Sequence, residues 1–200
     1  MKAWLLDGFE GLGCLRLAEV ETPKPGDGDV LVRLRYAALN PADRFLAENL
    51  YPARPALPHI LGRDGMGIVE AVGADVKSVR AGDRTCILRG DVGVTQAGTF
   101  AEFVVVPEVA VAAAPIGWTD EEAAAGPLVY LTAYQALQQW GPLEKATVLI
   151  TGISGGVGLA SLHLAKAFGH TVIGTTRGTG KAARLREMGA DLLVDPNDPE

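Results

Sequence analysis

Two hundred residues with 48% hydrophobic and 21% charged side chains suit one large domain or two small ones, and are too apolar for a disordered chain. A net charge of -6 argues against a general nucleic-acid binder. The two cysteines, Cys14 and Cys86, form neither a disulfide framework nor a CxxC metal clip, which points to a reducing compartment. The start, MKAWLLDGFEG, carries charge where a signal peptide needs its apolar core. A cytoplasmic protein is expected.

In chain order, alternating segments come first: KAWLLD, DVLVRLRY, GMGIVEAVG, RTCIL and TFAEFVVV. Turn signals such as PKPGDGD, AGDR and VTQAG separate them. Many short strands with glycines at their corners predict a small barrel or sandwich. Glycines 62, 65 and 67 read as close backbone approaches within it. Near Thr119 the texture changes. Asp120, Glu121 and Glu122 place negative charge where a helix dipole favours it, and a helix through AAAGPLVYLTAYQALQQW follows. Residues 123–143 carry no charge, a length that would span a bilayer. Gly126, Pro127, Thr132 and three glutamines suit lipid poorly, so a helix buried in protein is expected, with no membrane partner.

From Ala146 the pattern is β-α-β-α-β: ATVLIT, a helix ending near Phe168-Gly169, TVIGTT, KAARLREM closed by Gly189, then DLLV. Such alternation predicts parallel strands with crossover helices. The domains are expected to be 1–118, a β domain, and 119–200, the linking helix and the start of an α/β domain. A doubly wound nucleotide fold has two βαβαβ halves, and the sequence holds the first, so part of a longer polypeptide is expected.

Between ATVLI and LASLHLAKAF lies TGISGGVG, residues 151–158. At a strand-to-helix junction, free N–H groups and the helix dipole favour an anion, and glycines admit a phosphate to the backbone. The loop lacks the lysine of a Walker A motif, and its first glycines are one residue too far apart for GxGxxG. A bland turn would tolerate four glycines in seven residues but does not require them. Dinucleotide binding is expected, through Gly152, Ser154, Gly155, Gly156 and Val157.

An NAD-type fold places an acidic residue at the end of the second strand for the ribose 2′-hydroxyl. Here that place reads GTTRGTGK. From Lys145 to Arg186 there are six basic residues and no carboxylate. Arg177 and Lys181 stand where an adenosine 2′-phosphate would lie, with Thr175 and Thr176 as hydroxyl donors. The competing account is a solvated basic face, which fits Arg184 and Arg186. NADPH is expected over NADH.

TGISGGVG also fits the TGxxxGxG loop of short-chain dehydrogenases, but their loop lies near the N-terminus. The chain as a whole resembles the medium-chain dehydrogenase/reductase superfamily, in its zinc-free quinone oxidoreductase branch. The resemblance rests on ALNPADRFLAENLYP, ILGRDGMGIVEAVG, VRAGDR, GTFAEFVVVP, PLVYLTAYQAL and VLITGISGGVG, in the family's order. It implies a GroES-like β-barrel domain followed by the first half of a Rossmann doubly wound parallel sheet, and dimers built through the Rossmann domain. The longer turn of Ile153 and Ser154 is similar to that of zinc-free relatives. By motif position the catalytic zinc ligands of metal-dependent relatives become Asn40, Arg63 and Leu128, none a usual ligand, and no four-cysteine loop is present. No zinc is expected.

Without a metal, hydride must go to a bond whose charge can spread onto an oxygen, as in a quinone or an alkene conjugated to a carbonyl. The resemblance places Asn40 near the nicotinamide, against a plain Asn-Pro turn. It places Tyr51 beside substrate as orienting or protonating group, against an aromatic packing a loop. Phe45 stands where relatives can carry a second tyrosine. Thr132 is assigned to the cofactor, against a threonine bonding its own helix. Arg63 and Asp64 are expected to pair with each other, without a catalytic role. The alternatives are an enoyl-thioester reductase, and an NADPH-binding structural or sensing protein without turnover.

Overall fold

The computed structural model describes residues 1–88, 90–142, 144–177 and 179–197. It divides into two compact units after Leu128.

The first unit contains β1 (Lys2–Leu6), β2 (Leu15–Glu19), β3 (Asp29–Ala38), the short helix α1 (Pro41–Ala47), β4 (His59–Ile60), β5 (Asp64–Val72), β6 (Arg84–Ile87), β7 (Phe103–Pro107) and β8 (Val111–Ala113). Five strands form an antiparallel sheet in the order β7-β3-β5-β6-β8, and β2-β1-β4 form a second. Alternation along β7 sends Val104 and Val106 inward to meet Val30, Val32, Val69 and Ile87, all buried. The long β3–β5 ladder carries two register shifts, where it bends. Gly67 permits that pairing, since a Cβ there would lie 2.2 Å from the Arg33 carbonyl oxygen.

Helix α2 (Asp120–Leu137) opens with a reciprocal cap. Glu122 N–H donates to Thr119 Oγ1 at 3.2 Å, and Thr119 N–H donates to the Glu122 carboxylate at 2.9 Å. Among the described residues no helix is long and apolar enough to cross a membrane.

The second unit holds β9 (Thr147–Ile150), α3 (Gly156–Ala167), β10 (Thr171–Thr175), α4 (Ala182–Glu187) and β11 (Leu192–Val194). The strands are parallel in the order β11-β10-β9, the arrangement expected of consecutive βαβ crossovers. Gly169 and Gly189, with φ of 80° and 105°, follow α3 and α4 and free the chain to turn into the next strand. Ile150, Ile153, Leu162, Ala165, Val172 and Leu185 form this unit's core.

Candidate active site

In the first unit the predicted residues gather around the start of α1. Asn40 takes the N-cap position with extended backbone, and Pro41 follows where the helix needs no N–H. Asn40 N–H donates to Asp43 Oδ2 at 2.7 Å. Its side-chain Nδ2 donates to Asp64 Oδ2 at 2.9 Å, and the other Asp64 oxygen accepts from the Leu128 amide at 3.0 Å. Asp64 is 1% exposed, and burial pushes its carboxyl up to about 6. The bonds from Asn40 and Leu128 oppose that rise, Asp43 adds to it, and Arg63 opposes it. Asp43 is also buried and its carboxyl is raised by burial.

The expected Arg63–Asp64 pair does not form: among the described residues no ion pair joins them. Consecutive side chains entering an extended strand point to opposite sides, and Asp64 is the first residue of β5. Arg63 instead donates from Nη1 to Tyr51 Oη at 2.9 Å, with its guanidinium carbon 5.7 Å from the ring centroid. Tyr51 packs against the cluster of Leu6, Leu46, Ala47, Leu61 and Val94. Phe45 is exposed on α1. Sequence reasoning missed the Arg63–Tyr51 bond because nothing local joins residues twelve apart across a loop.

In the second unit the glycine loop is tied to the end of β10. Gly152 N–H donates to Thr175 Oγ1 at 3.0 Å, and Ile153 N–H donates to the Thr175 carbonyl at 3.1 Å. Gly152 has φ of 62°, a conformation that favours glycine. Ile153 is fully buried, and its side chain occupies the space a Cβ on Gly174 would need. Gly158 lets α3 approach: a Cβ there would stand 2.6 Å from the Gly152 carbonyl oxygen. Gly155 caps α3, so Gly156 and Val157 form its first turn, with amides that lack helical partners.

Beside this loop lies a cavity of about 280 Å³ lined by Gly152, Ser154, Thr175, Thr176, Arg177, Lys181 and Pro196. Among the described residues its lining holds two cations, three hydroxyls and no carboxylate. Thr176 is 8% exposed, and among the described residues its buried Oγ1 has no hydrogen-bond partner. An orphaned hydroxyl beside two cations and a helix N-terminus fits a phosphate group. The structure thus brings together six of the predicted cofactor residues. Thr132 lies apart from them, exposed on α2, and among the described residues its side chain makes no hydrogen bond. Tyr130 Oη and His163 Nδ1, which the sequence did not connect, lie 2.7 Å apart with stacked rings. Among the described residues no group of three or more His, Cys, Asp or Glu side chains is placed to hold a metal.

Residues 26–116 match the alcohol dehydrogenase GroES-like domain. The chain is 36% identical to tomato (Solanum lycopersicum) 2-methylene-furan-3-one reductase, over 98% of its own length and 52% of that protein. It is 36% identical to a quinone oxidoreductase of Pseudomonas aeruginosa, over 94% of its length and 56% of the relative. Among solved structures, an NAD-dependent alcohol dehydrogenase superposes with a TM-score of 0.89 at 34% identity, covering all of this chain and 64% of that one. A mycobacterial protein complexed with NADPH superposes with a TM-score of 0.85 at 32% identity, covering 99% and 60%. The fold is therefore a GroES-like antiparallel domain followed by a parallel sheet with helices, and the chain belongs to the medium-chain dehydrogenase/reductase superfamily. It spans about half the length of the curated relatives it matches.

Proposed function

We propose that the intact protein is an NADPH-dependent, zinc-free reductase of quinones or α,β-unsaturated carbonyls. The observation that carries this reading is the cavity beside the glycine loop, where Arg177, Lys181, Thr175 and Thr176 converge without a carboxylate among the described residues. Arg177 and Lys181 meet the charge of a 2′-phosphate, Thr176 supplies the unused hydroxyl, and the amides of Gly156 and Val157 open the helix toward the pyrophosphate, while the Gly155 amide holds the loop closed on the Gly152 carbonyl at 2.9 Å. Thr132 is a further cofactor contact. When bound, the cofactor supplies hydride.

The donor set where metal-dependent relatives hold zinc favours a metal-free reaction. Asn40 there is engaged with Asp64, and Arg63 is a cation. A conjugated carbonyl needs no Lewis acid, because the incoming charge spreads to oxygen and a hydrogen-bond donor suffices. Tyr51 is that donor, and Asn40 is held in one orientation by two bonds. The likeness to a furanone reductase and a quinone oxidoreductase supports the same substrate class.

The test is NADPH oxidation by the intact protein with a panel of quinones, enones and enoyl thioesters. Turnover of quinones or enones is expected. NADPH binding without any turnover would overturn the enzyme reading in favour of a binding role, and exclusive use of thioesters would move the substrate class.

A further inference from the structure

Among the described residues the Arg63 guanidinium has no carboxylate partner. Among the described residues no acidic group comes within ion-pair distance, and its Nε is buried and unpartnered. Its one side-chain hydrogen bond among the described residues runs from Nη1 to the Tyr51 hydroxyl. That bond fills a lone pair of the phenolic oxygen, so the hydroxyl's own hydrogen must point elsewhere. Among the described residues it meets no acceptor. A cation placed to pair with a buried acid would be expected beside Asp43 or Asp64, both buried nearby, and its field only partly opposes the rise that burial causes in each. Arg63 faces the tyrosine instead.

We propose that Arg63 is the positioning residue for proton delivery from Tyr51. It turns the hydroxyl hydrogen outward toward a conjugated carbonyl oxygen and compensates the negative charge left on the phenolic oxygen. This rests on the reductase reading. Hydride adds to the β-carbon of an enone, and the π electrons shift to the carbonyl oxygen. The Tyr51 O–H bond then breaks as an O–H bond forms on the enolate, its electron pair remaining on the phenolic oxygen beside Arg63. Water returns a proton to Tyr51, and the enol becomes the saturated ketone. The metal-free site thus uses a guanidinium–phenol relay where an ion would have polarised the oxygen directly.

The experiment uses the intact protein, Arg63→Met, Arg63→Lys, Tyr51→Phe and the Arg63→Met/Tyr51→Phe double variant. Two readouts are taken: kcat for 3-nonen-2-one with NADPH, and the absorption band of 4-(dimethylamino)cinnamaldehyde bound without cofactor. That band moves to longer wavelength when the aldehyde oxygen accepts a hydrogen bond. The wild type should shift the band, Tyr51→Phe should abolish the shift, and Arg63→Met should reduce it. Arg63→Met should lower kcat about 10- to 100-fold with NADPH affinity unchanged, and Arg63→Lys should recover part of the loss. The double variant should be no worse than Tyr51→Phe, because the two residues act as one unit. If the losses multiply, or Arg63→Met keeps both the band shift and kcat, the relay is wrong although the reductase reading stands. A wild-type shift lost in the variants, without wild-type turnover, would uphold the donor pair and reject the reductase reading. No wild-type shift would overturn the pair itself.

Discussion

Asn40 and Asp64 are 24 residues apart, yet the amide of one donates to the carboxylate of the other at 2.9 Å, and a buried acid thereby holds the cap of α1. The carboxylate also receives the Leu128 amide from α2. Asp64 therefore joins three segments of the first unit and is charged or neutral according to pH.

The pH dependence has a definite sign. Burial raises the Asp64 carboxyl from 3.8 to about 6, so between those values the folded state binds more proton than the unfolded. The native state loses stability as pH rises through that window, by roughly 3 kcal/mol in total, and keeps the penalty above it. Below the lower value both states are protonated and the penalty vanishes. Asp64→Asn removes the titration while keeping one acceptor. Thermal unfolding of wild type and variant between about pH 4 and pH 7 should show the wild type falling relative to Asp64→Asn. A constant difference would exclude Asp64 as the titrating group.

Arg177→Glu puts a carboxylate into the cavity that holds two cations and the orphaned Thr176 hydroxyl. It should reverse or abolish a preference for NADPH over NADH, measured as the ratio of dissociation constants by fluorescence titration. Losing charge-assisted bonds to a phosphate corresponds to about 1.5–3 kcal/mol, or roughly 10- to 100-fold in that ratio. An unchanged ratio would remove the 2′-phosphate assignment.

Gly158→Ala brings a Cβ to 2.6 Å from the Gly152 carbonyl oxygen and 2.7 Å from Ile153 Cα. Both are backbone atoms, so the loop itself has to move. Overpacking costs about 1–3 kcal/mol, against about 1 kcal/mol gained from alanine's helix propensity. A net loss of stability with about tenfold weaker NADPH binding is expected. Gly28→Ala is the control, because nothing lies within 4 Å of a Cβ there. It should change stability by less than about 0.5 kcal/mol.

Metal analysis of the purified intact protein should find far less than one zinc per chain, and a chelator should leave NADPH-dependent turnover unchanged. Stoichiometric zinc, or activity lost to the chelator, would overturn the metal-free reading.

Much of the fold was legible because its signals were local. The acidic first turn of α2, the glycines after α3 and α4, and the regular βα alternation each reflect a constraint confined to a few residues. Helix α1 was overlooked although Asn40, Pro41 and Asp43 spell its cap, because the element is only seven residues long. Strand β2 is half exposed at a sheet edge, and β4 has two residues, so neither carries a firm alternation. The convergence of Arg177 and Lys181 at the cavity beside the glycine loop was anticipated by the run of cations without acids, a compositional signal. The Arg63–Tyr51 and Asn40–Asp64 bonds were not, because side-chain partnerships across loops have no periodicity to reveal them.

The longer glycine turn is similar to that of zinc-free relatives. Ile153 makes it an anchor: it is buried over Gly174, while Gly152 and Ile153 both bond to Thr175. The segment proposed to cradle a pyrophosphate and the segment proposed to read the neighbouring ribose therefore rest on one foundation. Altering coenzyme preference through Thr175 would disturb the grip on the part that both coenzymes share. A redesign for NADH should leave that threonine in place and begin at Arg177 and Lys181, whose backbone carries no tie to the loop among the described residues.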